Sequence, residues 1–136
     1  MSKYLSILFF FLAFKSFAMS DEIDVTIDNL PCLGFEISSL ADDHLIIVFP
    51  PMIKDYELTN TLVSYSFLGE KTLMSQNRFH SSSKSHEVEI SFLQGINNGA
   101  DATLIAYYSS RGDSKVFKFS SLAKLVNVKT AGCKKL

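Results

Sequence analysis

The sequence predicts an all-β fold of two packed sheets, and three observations predict it. Apolar side chains recur at every second position in runs such as Val88, Ile90 and Phe92, the period of a half-buried strand. Turn-forming clusters interrupt such runs at intervals of about 8–14 residues, the rhythm of short antiparallel strands. Past the first 18 residues, no helical periodicity outlasts about two turns. The 12 phenylalanines fit the same picture, because aromatic and β-branched side chains suit a pleated, half-buried surface.

Residues 1–18 read as a secretory signal peptide. Lys3 supplies a positive start, Tyr4 to Phe14 is an apolar run, and Ser16-Phe17-Ala18 offers small residues for cleavage after Ala18. Lys15 interrupts that run well short of the roughly 20 apolar residues a membrane span needs. A single domain is expected over 19–136. Ile23, Val25 and Ile27 alternate with Asp24, Thr26 and Asp28, a first strand that Asn29-Leu30-Pro31 breaks. Leu33, Phe35 and Ile37 predict a second strand ahead of a turn at Ala41-Asp42-Asp43. His44 to Phe49 is apolar without alternation, as in a strand covered on both faces, and Pro50-Pro51 ends it because proline cannot donate to a sheet ladder.

Leu58 to Leu68 predicts a longer strand with Val63, Tyr65 and Phe67 on one face, and Thr72 to Phe79 a weaker return after Gly69. The loop from His80 to Ser85 is rich in hydroxyls. From Glu87 to Phe119 three extended segments, divided by Gly95-Ile96-Asn97-Asn98-Gly99 and Arg111-Gly112-Asp113, predict an antiparallel meander. Leu122 to Val128 is ambiguous between a short helix and a strand. Together these elements predict an immunoglobulin-like antiparallel sandwich, with a small β-barrel as the alternative.

Two cysteines, Cys32 and Cys133, allow one pairing, and in an oxidising compartment an even count predicts a disulfide. It would tie the terminal segments instead of crossing between the sheets. Without Lys3 and Lys15, 11 basic residues face 14 acidic ones, a net charge of −3. That mild acidity, with only Arg78 and Arg111 as arginines, argues against a nucleic-acid partner, which needs a clustered basic footprint. No Asn-x-Ser/Thr sequon is present, which favours a bacterial route of export.

The candidate chemistries are sparse. Arg111-Gly112-Asp113 at a hairpin tip resembles adhesive loops, though Gly-Asp is also ordinary turn chemistry. His44, His80 and His86 lack the spacing of a metal site. Ser81 to Ser83 near His80 and His86 evoke a nucleophile–base pair, yet no Gly-x-Ser-x-Gly elbow or orienting acid accompanies them. Glu87 and Glu89, about 7 Å apart on one strand face, have a separation found in glycosidases but read first as a solvated face. No phosphate-binding glycine loop or dinucleotide fingerprint occurs.

The expectation is therefore a non-enzymatic, exported domain, periplasmic or secreted, without cofactor or metal, that binds another protein as a monomer or weak oligomer. Its binding surface is expected at the loops carrying His80 and Ser82, Asn97 and Asn98, and Arg111, Gly112 and Asp113. The layout resembles bacterial accessory proteins: fibre assembly factors, hydrolase inhibitors and immunity proteins. A fibre subunit or assembly factor of curli or pili, working through an exposed strand edge, is the alternative. Lys115, Lys118, Lys124 and Lys129 are expected to guard such an edge.

Overall fold

A computed structural model describes residues 21–133 apart from 42, 81, 127 and 129–131. The expected signal peptide, Ser81, Lys129 and the last residues of the tail lie outside the described residues. Among the described residues the chain forms β1 (Asp21–Asp24), α1 (Leu30–Leu33), β2 (Glu36–Ala41), β3 (His44–Val48), β4 (Met52–Ile53) and β5 (Tyr56–Phe67). After these come β6 (Glu70–Arg78), β7 (Glu87–Ser91), β8 (Ala100–Ser110) and β9 (Asp113–Phe119). The molecule is an all-β sandwich. Its large sheet runs β1-β9-β8-β5, with β4 and β6 both paired to β5, and its small sheet runs β2-β3-β7. With β3 and β7 neighbours in one sheet and β5, β8 and β9 in the other, the wiring is immunoglobulin-like.

Several local expectations are corrected. The predicted strand through Leu33 begins instead as a helical turn, α1, because Pro31 sits in the first turn and Gly34 (φ +89°) closes it in the left-handed region. The Asn29 side chain accepts from Thr26 N–H at 2.7 Å and donates to Asp24 C=O at 2.9 Å, so β1 stops at Asp24. Moreover, β1 pairs β9 in parallel, whereas the other pairings among the described residues are antiparallel. In β3 only Leu45 and Ile47 are buried; Ile46 and Val48 lie half-buried on the outer face, so this strand is covered on one side.

The meander expected over Glu87–Phe119 is split between the sheets. β7 pairs β3 in the small sheet, while β8 and β9 form a hairpin in the large one. The crossing is made at Phe92, which is buried and donates its N–H to Asp43 C=O at 2.9 Å, followed by a 3₁₀ turn at Ile96–Asn98. The ambiguous segment after Ser121 forms another 3₁₀ turn, Ala123–Leu125. Asp101 holds it, its carboxylate accepting from Ser121 Oγ at 2.7 Å and Ala123 N–H at 3.0 Å.

As the alternation predicts, Val63 faces the core with Tyr65 and Phe67 packed on the same side, and a bulge between Leu58 and Asn60 interrupts the period earlier in β5. One extra residue moves the inward phase from Leu58 to Thr61 and Val63. The two hairpins β5–β6 and β8–β9 turn through Leu68-Gly69 (φ 53° and 84°) and Arg111-Gly112 (φ 45° and 82°). Both central residues at positive φ mark the primed turns whose twist suits paired strands.

One hydrophobic cluster fills the space between the sheets. Phe35, just past α1, is its hub, with ring centroids 5.7 Å from Phe49, 5.7 Å from Phe117 and 5.2 Å from Phe119, all edge-on. Tyr108 is buried beside Phe117 and donates its hydroxyl to Pro50 C=O at 2.7 Å; burial pushes its phenol far above the ordinary tyrosine range. Cys32 in α1 is bonded to Cys133, 101 residues away. The expected bridge is thus formed, and it fastens the end of the described chain to the crossover between β1 and β2.

Candidate functional site

The loops expected to bind are divided between the two ends of the sandwich. β8 runs 11 residues from the Asn97-Asn98 loop to the Arg111-Gly112 tip, so these lie roughly 30 Å apart along the strand axis. The His80–Ser85 loop, which follows Arg78, shares an end with the Arg111 tip: Arg78 lies opposite Asn60, and Asn60 opposite Tyr107. No single flat partner surface spans all three.

Each loop also has structural work. Asn98 donates Nδ2–H to Gln94 C=O at 2.8 Å and Asp43 accepts from Ile96 N–H at 3.3 Å, while Asn97 is exposed. His80 is exposed, and its backbone N–H donates to Ser83 Oγ at 2.9 Å, which closes the serine-rich turn. Ser82 is exposed at the crest of that turn. His86 stacks on Phe79 with centroids 5.7 Å apart, which ties the start of β7 to the end of β6. The histidines are thereby held in separate places, and His44 Nε2 lies 3.1 Å from Glu89 on the outer face of the small sheet. Among the described residues no three His, Cys, Asp or Glu side chains converge as a metal site.

Asp113, the acid of the Arg-Gly-Asp tip, is engaged by its own domain. Tyr56 Oη–H donates to Asp113 Oδ2 at 2.6 Å, Ser114 N–H donates to Oδ1 at 2.9 Å, and Lys115 Nζ sits 4.7 Å from the Tyr56 ring centroid. The Tyr56 hydroxyl foremost, then Ser114 N–H, holds the Asp113 carboxyl below the ordinary carboxylate range and raises Tyr56 in turn. A carboxyl with a lowered folded value favours folding above its unfolded value, and that contribution disappears as pH falls through the lowered one. In Tyr56→Phe, the Asp113 carboxyl is therefore expected to titrate at higher pH, checked by carboxyl-resonance NMR, and its share of stability to fade earlier on acidification.

The lysines expected to guard an edge do not do so where they are described. β9 lies inside the large sheet, between β1 and β8. Lys115 packs on Tyr56, and Lys118 lies 3.9 Å from Glu22 of β1. Two of the sheet edges, β6 of the large sheet and β7 of the small one, lie on the same flank.

That flank carries a groove of about 420 Å³. Tyr65 forms its floor, Leu73 and Ser75 of β6 one wall, and Phe92 and Leu93 the other. Leu73 is 62% exposed and Leu93 93% exposed, with Leu68 and Met74 also exposed nearby in sequence. The Tyr65 hydroxyl faces the backbone of Ser91, where the large sheet approaches the edge of β7; burial raises the phenol above its usual value, and the Ser91 backbone opposes that rise. Sequence alternation placed Leu73 on a weak strand but held no sign that its face would lack a cover. The groove is mostly apolar, with hydroxyls, Gln94 and Asp101 also in its lining, a composition suited to binding apolar side chains.

No family model matches this chain, and no curated protein does. Among solved structures it is similar to domains d3–d4 of the extracellular region of rat CD45, at 14% identity over 76% of this chain and 51% of that one, with a TM-score of 0.34. The chain spans about half the length of that structure, and at this score the likeness carries neither fold nor function.

Proposed function

We propose that this chain is an exported, non-enzymatic protein-binding domain that meets its partner on the flank between β6 and β7. The observation that carries the reading is the groove there: two leucines stand exposed over an apolar floor, beside strand edges that no described strand covers. Contiguous apolar surface of this kind on an otherwise packed domain marks an interaction site. The Cys32–Cys133 bond supports export, because such links persist in oxidising compartments.

Site-specific cross-linking in the cells that make the protein tests this. A photoreactive side chain at Leu73 or Leu93 is expected to capture one and the same protein, while one at Arg111 captures none. Adducts at Arg111 alone, or none at the flank, would reject the site. The free edge of β6 also favours the fibre-subunit reading, which would instead give ladders of self-adducts from the Leu73 probe.

A further inference from the structure

The two sheets end unevenly on this flank. In the large sheet β6 extends past β5, whereas the small sheet stops at β7. The core-facing side of β6 therefore has no strand across from it, and Leu73, whose partner in β5 is Tyr65, is left open. One more strand beside β7 would cover Leu73 and Leu93 and close the sandwich.

The edge of β7 specifies what that strand must be. Phe49 N–H bonds His86 C=O at 2.7 Å, and Phe92 N–H bonds Asp43 C=O at 2.9 Å. In the antiparallel register these fix 47/88 and 45/90 as the hydrogen-bonded pairs. Glu87, Glu89 and Ser91 consequently turn their N–H and C=O groups toward the flank. Ser91 faces the Tyr65 hydroxyl, and among the described residues no strand pairs with Glu87 or Glu89 on that side. A neighbouring chain can therefore continue the ladder.

Side-chain chemistry follows from the same alternation. Val88 and Ile90 point into the core, while the Glu87 and Glu89 carboxylates stand exposed on the outer face. A strand laid alongside presents every second residue inward, toward Tyr65, Leu73 and Phe92, and the others outward beside the two glutamates. Inward residues must be apolar, and outward residues are favoured when basic, because opposite charges across neighbouring strands stabilise the pair.

From this geometry we infer that the flank receives an extended segment of another protein, alternating apolar and basic residues, as a fourth strand of the small sheet. The inference rests on the protein-binding reading and names the partner's local chemistry. Strand addition supplies affinity through the backbone and selectivity through alternate side chains.

Calorimetry with two capped heptapeptides tests it, one alternating lysine with valine and one alternating glutamate with valine. The lysine peptide is expected to bind the wild-type protein about tenfold more tightly than the glutamate peptide, because Glu87 and Glu89 attract the one and repel the other. Glu87→Lys with Glu89→Lys should reverse that order; both sites are exposed and only the surface contact of Glu89 with His44 is given up, so the core is untouched. Leu73→Asp should weaken both peptides, and methylating the amide nitrogens that face β7 should abolish binding of the lysine peptide.

Equal binding of the two peptides, an unchanged order in the charge-reversed protein, or indifference to N-methylation would overturn strand addition. A partner still captured at Leu73 and Leu93 would then leave the broader protein-binding reading intact. A wild-type dimer that Leu73→Asp dissolves in size-exclusion chromatography would make the occupant a second copy and overturn the proposal as well.

Discussion

Replacing both cysteines, Cys32→Ser with Cys133→Ser, is expected to lower the unfolding free energy by about 4–5 kcal/mol. The bond closes a loop across 101 residues, and in the chain-entropy account a loop of that length restricts the unfolded chain by about this amount. Both cysteines are exposed, so serine removes no core packing and the loss reports the cross-link itself. For a domain of this size the midpoint of thermal unfolding should fall by roughly 15–20 °C. Urea unfolding of the oxidised, reduced and doubly substituted proteins checks this, with the last two expected to coincide. A loss under about 1 kcal/mol would mean that the unfolded chain is already compact enough to hold these ends together.

Phe35→Ala is the second large effect, expected at about 3–5 kcal/mol. Phe35 is buried, and its ring meets Phe49 from the small-sheet side and Phe117 and Phe119 from β9. It is also the first residue after the α1 turn, its N–H bonded to Leu30 C=O at 3.2 Å, so it sets where the chain passes from one sheet to the other. Removing the ring opens a cavity lined by three phenylalanines that their own strands hold in place. Phe35→Leu should cost much less, because it retains most of the volume. Chemical denaturation of the two variants gives the comparison. Equal small losses in both would mean that the neighbouring rings collapse into the space.

Most of the strands were legible because alternation is a local property. Val88 and Ile90 alternate with Glu87 and Glu89 in sequence, and they face the core and the solvent in the structure. The disulfide was legible because two cysteines leave one way to pair. The errors fall where a local rule met a longer-range one. Glu87 to Phe119 reads as one meander, yet β7 pairs β3 while β8 and β9 pair in the other sheet, and no local signal announces that crossing. The helical turn at α1 was readable in hindsight, since Pro31 and Gly34 bracket it with the signals of a short helix.

The candidate site was the least legible feature. Arg111-Gly112-Asp113 drew notice as a string of letters, yet Tyr56, 57 residues away, binds its carboxylate. Leu73 and Leu93 are ordinary leucines until β6 is found to overhang β7, and that overhang depends on which strands pair.

Composition and period were enough to require pleated strands, a buried phenylalanine-rich interior and a single covalent link, because each depends on neighbours in the chain or on a count. Partner choice among strands, the parallel seating of β1 on β9 and the uncovered flank came from contacts between residues far apart in sequence. Alternation tells a strand which face to bury and is silent about what lies beside it, so an open edge exists only once the whole sandwich has assembled.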